Sequence, residues 1–368
     1  MRRHNNILNY LLVSCFVVII CLFGAGCSGI SILGQMNQGD NRITRTDGEL
    51  EVHFIDVGQG DATLIKEGSH AMLIDAGENN QGTAVAEYLE SQNVQELDYV
   101  IGTHPDSDHI GGLDVVIAEY PCDKVIMPGI ASDTQTYGDV LLALEDKGLT
   151  MTEPVVGDTY ALGKASFTVI APNRDYGDDT NNWSAGIILT YGKNRFLFTG
   201  DAEETAEKDI VSNGIDISAD VYKAAHHGSK TGSSDALLDA VQPVYSVISC
   251  GEDNEYGHPN AQTLNSFRSR GIKVFRTDEQ GTIVAVSDGT QIVWNMSPDD
   301  SWKSGEAKGS SQKNNTKVRY VLNTNTKKYH RPSCAHVDEI KKENREDTTA
   351  TKNQLEKQGY QPCGTCKP

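Results

Sequence analysis

The sequence predicts an α/β (α+β) chain: a layered sandwich of sheets covered by helices, followed by a small zinc-stapled domain. Three observations predict this. Short β-rich runs alternate with polar turns and helical segments from Glu49 to about Asn295. An apolar run, Leu97-Asp98-Tyr99-Val100-Ile101, leads into Thr103-His104-Pro105-Asp106-Ser107-Asp108-His109 and then Gly111-Gly112, as when a strand delivers ligands into a glycine-rich loop. Near the C-terminus, His330-x-x-x-Cys334 is followed about thirty residues later by Cys363-x-x-Cys366, a donor set and spacing that suit a closed tetrahedral zinc site.

Taken in order, Val52–Val57 reads as a strand that breaks at Gly58-Gln59-Gly60-Asp61. Ala62–Lys66 and Ala71–Asp75 continue as a meander, and Thr83–Ser91 reads as a helix with Val85, Tyr88 and Leu89 on one face. Later strands are expected at Ser166–Ile170, Gly186–Tyr191, Arg195–Thr199, Val221–Ala225 and Val244–Ser249. Helices are expected at Ala202–Val211 and Ser234–Val241, the second started by Ser233-Ser234-Asp235. No internal repeat is visible.

The 368 residues allow two or three domains with one large core. Arg2 and Arg3 precede an apolar run from Leu11 to Phe23 and then Gly24-Ala25-Gly26-Cys27-Ser28, the pattern of a secretory signal. Residues 1–27 therefore read as a signal peptide resembling that of a bacterial lipoprotein, with Cys27 lipidated, or as an uncleaved membrane anchor. Gly24 stands where a lipobox usually has leucine. Residues 28–48 read as a tether. The rest of the chain is then expected at the extracellular face of the cell membrane, or secreted.

Net charge is −19 and unevenly spread. Residues 303–368 carry 14 Lys/Arg against 7 Asp/Glu, so the preceding chain stands at −26. An acidic body with a basic tail suggests a cation-binding domain joined to a module that can meet a polyanion.

The run His104-x-Asp106-x-Asp108-His109 places oxygen and imidazole donors where they can converge on two metal ions. Four further segments look ready to serve it. Phe198-Thr199-Gly200-Asp201 ends a strand in a carboxylate able to bridge two metals. Val221–Ser229 ends another in His226 and His227; at least one should complete a metal site, and the other is free to support substrate or a ligand. Asn181-Asn182-Trp183-Ser184 offers amide donors for a developing negative oxygen, and Tyr256-Gly257-His258-Pro259 offers one more imidazole.

Together these segments resemble the metallo-β-lactamase-fold hydrolase superfamily, which implies an αββα sandwich over residues 49–295. More narrowly, Phe54–Asp61, His104–Gly112, Lys223–Ser229 and Gly257-His258-Pro259 resemble the extracellular hydrolase domain of ComEC-type competence proteins. Asp106 stands at the second position of the superfamily's usual H-x-H-x-D-H, as in the ComEC-type group, and makes Mn²⁺ as credible as Zn²⁺. The superfamily often has a histidine where this chain has Asn181-Asn182. No polytopic channel region is present, so the chain by itself is expected not to carry DNA across a membrane.

The resemblance implies one metal at His104 and Asp106 and another at Asp108 and His109, with Asp201 bridging and His226 or His227 completing a site. Metal-bound hydroxide would then attack, Asp108 would orient the water, and Lys223, His258, Asn182 and Ser229 would stabilise charge or protonate a leaving group. Asp61 and Asp75 are expected to support ligands rather than to coordinate.

Residues 296–316 read as a second linker and 317–368 as a module held by one structural zinc on His330, Cys334, Cys363 and Cys366. A hairpin-like start at Tyr320–Tyr329 and a helical segment and turn at Asp338–Tyr360 are expected. The alternative is a disulfide among these cysteines. The stretch resembles the metal-binding module of Ada-type DNA repair proteins, with His330 at the place of that family's first cysteine, so its methyl-acceptor chemistry does not transfer. A net-basic zinc module suits nucleic-acid phosphates.

The function expected from all this is a surface-anchored dinuclear-metal hydrolase of phosphodiesters, with extracellular DNA as substrate and partner. The alternatives are another surface phosphodiester (phosphocholine), a lactone or β-lactam, or a non-catalytic DNA-binding surface protein.

Overall fold

The computed structural model describes residues 48–306, 318–332, 334–363 and 366. The expected signal or anchor, the tether up to residue 47 and the linker from residue 307 lie outside the described residues.

The chain enters one sheet through β1 (Leu50–Phe54), β2 (Ala62–Glu67), β3 (His70–Ala76), β4 (Leu97–Ile101), β5 (Cys122–Ile126) and β6 (Met151–Thr152). A second sheet takes β7 (Thr159–Leu162), β8 (Ala165–Ala171), β9 (Gly186–Tyr191), β10 (Asn194–Phe198), β11 (Val221–Lys223), β12 (Tyr245–Ile248) and β13 (Lys273–Arg276). β14 (Ile283–Ser287) and β15 (Ile292–Trp294) then return to the first sheet. The strand orders are β15-β14-β1-β2-β3-β4-β5-β6 and β13-β12-β11-β10-β9-β8-β7.

Three apolar layers show how the sheets stack. Phe54, Phe167, Phe196, Phe198 and Phe275, from both sheets, share one buried cluster. On the far face of the first sheet, α1 (Gly82–Ser91), the one-turn α2 (Ser107–Ile110), α3 (Leu113–Glu119) and α4 (Gln135–Lys147) bury Val85, Leu89, Val116, Ile117, Val140 and Leu144. On the far face of the second, α5 (Glu204–Ser212), α6 (Asp235–Val241) and α7 (Ala261–Ser269) bury Ala206, Ile210, Leu237, Leu238, Leu264 and Phe267. Each large apolar side chain so buried contributes roughly 1.5–3 kcal/mol. The result is helix–sheet–sheet–helix, as the sequence predicts.

Local chemistry fixes the helix ends. Thr134 caps α4 by accepting from the Tyr137 N–H, and Gly148 at φ 66° ends it. Ser234 caps α6 by accepting from Leu237 N–H, at the expected start.

Topology places the site. β3 and β4 are parallel neighbours in the first sheet, and β10, β11 and β12 are parallel neighbours in the second. Parallel strands present their carboxyl ends at one sheet edge, where ligand-bearing loops gather. Those ends lead to Asp75, Thr103-His104, Asp201, His226-His227 and Ser249.

A third sheet, in the order β18-β16-β17-β19, is built from β16 (Val318–Asn323), β17 (Lys328–His330), β18 (Arg345–Ala350) and β19 (Gln361–Pro362). The expected hairpin is present. Asp338–Tyr360, however, is not simply a helix and turn: Arg345–Ala350 pairs antiparallel with β16, and only Lys352–Lys357 (α8) is α-helical. β-branched Thr348 and Thr349 favour the strand. Among the described residues, no helix is long and apolar enough to cross a membrane.

Candidate metal centres

Thr103, His104 and His109 are buried, whereas Asp106 keeps 43% of its side chain exposed. Behind β3, Asp75 adopts φ 59°. It accepts from the Thr103 N–H and Thr103 hydroxyl, both at 2.8 Å, and from His109 Nδ1 at 2.8 Å. With Nδ1 committed to a carboxylate, His109 carries its proton there and turns the Nε2 lone pair into the site.

His227 is oriented by the same logic. Its Nδ1 donates to the Ser249 carbonyl at 3.0 Å and lies 3.2 Å from Asp61 Oδ1. Its Nε2 then faces His109 Nε2 at 3.2 Å, Asp108 Oδ2 at 3.1 Å and Asp201 Oδ2 at 3.5 Å, while Asp201 Oδ1 meets His109 Nε2 at 3.1 Å. Two imidazole lone pairs and two carboxylates aimed at one point repel one another unless a cation lies between them. The donor set therefore fits a divalent metal. Ligand atoms of Asp61, His109, Asp201 and His227 all lie within 4.8 Å of one another.

Electrostatics agree with the geometry. Burial pushes Asp201 up, yet His109 and His227 outweigh it and hold the carboxyl well below its usual range. Burial likewise opposes charge on His109 and His227, but Asp201 with Asp75 or Asp61 raises both imidazoles well above their ordinary value. Asp108, also opposed by burial, is held at about 2 by His227 and His109. The site is a well of negative potential that draws in positive charge.

His104 points a second lone pair the same way. Its Nδ1 lies 3.1 Å from the Thr103 hydroxyl, and its buried Nε2 has no hydrogen-bond partner, with Asp106 Oδ2 3.8 Å away. Burial, then His109, lowers His104 to about 4, and burial raises Asp106. His226 is partly exposed, with Nε2 3.7 Å from Asp201 Oδ2. The glycines flanking these residues are required by space: a Cβ on Gly60 would sit 2.4 Å from the Asp108 carbonyl oxygen.

Other predicted site residues are placed differently. Lys223 is 3% exposed and gives its ammonium to Asp61 at 2.9 Å and the Ala224 carbonyl at 3.1 Å. Lys223 thereby braces the Asp61–His227 pair. Asn182 does not present its amide to the cluster: its Nδ2 binds Asp179, and its Oδ1 accepts from the Glu203 and Ala206 N–H groups at the start of α5. The Ser229 hydroxyl bonds Thr231. His258 is buried and stacked on His227 at 6.1 Å, beside His226 at 5.5 Å. Burial, then His227 and His226, lowers it to about 4, so His258 is a neutral imidazole in this setting.

Sequence reasoning missed Ser249 and Glu203. Ser249 acts through its carbonyl, which every residue has. Glu203 lies 3.4 Å from His226 Nδ1 and looks in sequence like an ordinary helix-start acid.

In the third sheet, His330, Cys334, Cys363 and Cys366 also lie with their ligand atoms within 4.8 Å of one another. None of the three thiols is joined in a disulfide, so the disulfide alternative is not formed. His330 Nδ1 is buried without a partner, and the Arg331 N–H points to Cys366 Sγ at 3.4 Å. This S₃N set fits a closed structural zinc site.

The metallo-beta-lactamase superfamily profile matches residues 55–252. ComE operon protein 3 of Bacillus subtilis is 30% identical over 254 residues, 64% of this chain and 33% of that protein. Competence protein ComA of Neisseria gonorrhoeae is 30% identical over 240 residues, 64% of this chain and 32% of that protein. This chain thus spans about a third of the length of these curated relatives. The solved metallo-beta-lactamase fold protein YhfI from Bacillus subtilis superposes with a TM-score of 0.44 at 13% identity, over 65% of this chain and 100% of that one. A mixed sandwich of two sheets, an edge cluster of aspartates and histidines, and a profile match over more than half its length make this chain a member of the metallo-beta-lactamase superfamily.

Proposed function

We propose that this protein is a dinuclear-metal hydrolase of phosphodiesters, with DNA as its leading substrate, held at the outer face of the cell membrane. The observation that carries the reading is the convergence of His109 and His227 Nε2 with Asp108 and Asp201 at separations of 3.1–3.5 Å. Asp108, His109, Asp201 and His227 would hold one ion, and His104 and Asp106 would hold part of a second site bridged by Asp201. Bound divalent ions supply Lewis-acid chemistry, lowering the pKa of a water toward neutrality and neutralising charge on the attacked phosphoryl group.

The chain's own residues do the rest. Asp75 and the Ser249 carbonyl fix the imidazole tautomers, and Lys223 holds Asp61 against His227. His104, His109, Asp201 and His227 are buried, and substrate would enter past the more open Asp106. Competence names among the relatives favour DNA. The −26 body opposes a polyanion, and the basic module of residues 317–368, stapled by zinc, would offset this by contacting phosphates.

A second reading is favoured by one loop. Tyr256 is 68% exposed and stacked on His258 at 5.7 Å, amid exposed Glu252, Asp253 and Glu255. An open aromatic face among acids suits a quaternary ammonium, and hence a phosphocholine diester.

Incubating the protein with labelled single- and double-stranded DNA in Mn²⁺, Zn²⁺ or Mg²⁺, alongside Asp108→Ala, tests the reading. Metal-dependent cleavage that vanishes in the variant supports it. Intact DNA with hydrolysis of a phosphocholine diester supports the second. Salt-sensitive DNA binding with neither activity would leave a binding protein.

A further inference from the structure

We infer that His226 and His227 both hold metal, one in each of two adjacent sites, and that Glu203 orients His226 for this task. The inference rests on the dinuclear centre proposed above, and supplies the imidazole that Asn181-Asn182 do not.

In a strand, consecutive side chains point to opposite faces. β11 ends at Lys223, and the chain then turns sharply: His226 has φ 51° and ψ 48°, His227 φ 55° and ψ 26°, and Gly228 φ 79°. Two consecutive non-glycine residues in the left-handed region are strained, and such strain collects where side-chain placement demands it. Here it places both rings on one carboxylate oxygen. The Nε2 atoms of His226 and His227 lie 3.7 and 3.5 Å from Asp201 Oδ2. The turn is locked from outside, since a Cβ on Gly228 would meet Pro259 Cβ at 2.7 Å.

The far sides of the two rings diverge. His227 Nδ1 is anchored on the Ser249 carbonyl, facing the Asp108–His109 half of the cluster. His226 Nδ1 instead lies 3.4 Å from Glu203 Oε1 and 3.2 Å from Thr231 Oγ1. A carboxylate can only accept, so it keeps the proton on Nδ1 and leaves the His226 Nε2 lone pair toward Asp201. Glu203 is itself placed by the asparagine pair: Asn181 Nδ2 donates to its carboxylate at 3.4 Å, and Asn182 Oδ1 accepts its N–H at 3.0 Å. The segment without a histidine thus positions one at second hand.

What remains on that side is a coherent set. His104 offers a buried, unpartnered Nε2, Asp106 a half-exposed carboxylate, Asp201 its second face, and His226 an imidazole that is 23% exposed. Two nitrogens and two carboxylates on the open side make a site less enclosed than that of His109 and His227. It should be the weaker of the two and hospitable to Mn²⁺.

The test counts metal. The purified full chain, its C-terminal thiol site filled with zinc, is titrated with Mn²⁺ by equilibrium dialysis and followed by electron paramagnetic resonance. Wild type is expected to take up two Mn²⁺ with a spin-coupled signal, and His226→Ala one Mn²⁺ with an isolated-ion signal. Glu203→Gln, a gentler change, should keep two sites and weaken one of them about 10–100-fold. Two Mn²⁺ of unchanged affinity in both variants would overturn the inference while leaving the dinuclear centre intact. A single Mn²⁺ in wild type that His226→Ala does not disturb would also overturn it. No Mn²⁺ uptake by wild type would overturn the centre itself.

Discussion

In the larger sandwich, Asp61, His109, Asp201 and His227 come from four separate loops and converge at the edge of three thick apolar layers. Of the third sheet's donors His330, Cys334, Cys363 and Cys366, two belong to the apolar core itself: Cys334 and Cys363 share a cluster with Val321, Val337 and Ile340, and Cys366 packs against it. The first cluster sits beside apolar layers built entirely from other residues. The other replaces core that a unit of this size cannot build. The chemistry follows the same division, with oxygen-rich donors and an open side in the first, and three thiolates and an imidazole closing all four positions in the second.

The largest effect should therefore fall on the smaller unit. Chelation, or Cys363→Ser, should abolish its order, because apparent zinc binding of about 10–16 kcal/mol in such small domains is also their folding energy. Hydrogen exchange checks this: protection across residues 318–363 should vanish while that of β1–β14 persists. Equal loss in both regions would break the contrast.

Next is Lys223→Met. Lys223 and Asp61 are 3% and 7% exposed and pair at 2.9 Å, so removing the cation strands a buried carboxylate at a cost of about 3–5 kcal/mol. Urea denaturation of the sandwich measures it, and the double variant with Asp61→Asn should recover much of the loss.

A smaller, pH-dependent effect sits in the same sandwich. Burial raises the Glu207 carboxyl to about 7, although it accepts from the Ser233 and Ser234 N–H groups. The folded value lies above the ordinary 4.5, so the folded state holds the proton longer than the unfolded one. Its contribution is full below about pH 4.5 and is lost as pH rises to about 7, on the order of 3 kcal/mol. Glu207→Gln should flatten that part of the profile. The stability difference between variant and wild type, measured at pH 5 and pH 8, should shift in favour of the variant at the higher pH.

The smallest effect marks the floor. Lys208 and Glu204 pair at 2.7 Å, but both are more than half exposed. Lys208→Ala should change stability by less than about 0.5 kcal/mol in the same denaturation assay.

Much of this was legible because the residues that matter are contiguous. His104, Asp106, Asp108 and His109 stand within six residues, and strand ends announce Asp201 and the histidine pair. Other features had no such mark. α4 was not foreseen because Gly138 interrupts its helical pattern, and β7 and β13 are only four residues each. Lys223 and Asn182 carry the right groups for catalysis, and only their contacts with Asp61 and with α5 show them otherwise engaged. Arg345–Ala350 is a polar segment whose strand character comes from pairing with β16, which lies more than twenty residues upstream.

Crystals of the full chain grown with Mn²⁺ and Zn²⁺ would test the central claim, through anomalous scattering at each metal's absorption edge. The zinc signal at His330, Cys334, Cys363 and Cys366 serves as an internal standard. The account predicts further anomalous peaks in the sandwich, one of them about 2.0–2.2 Å from ligand atoms of His109, His227, Asp108 and Asp201. A zinc peak in the small module with none among these four residues would contradict it.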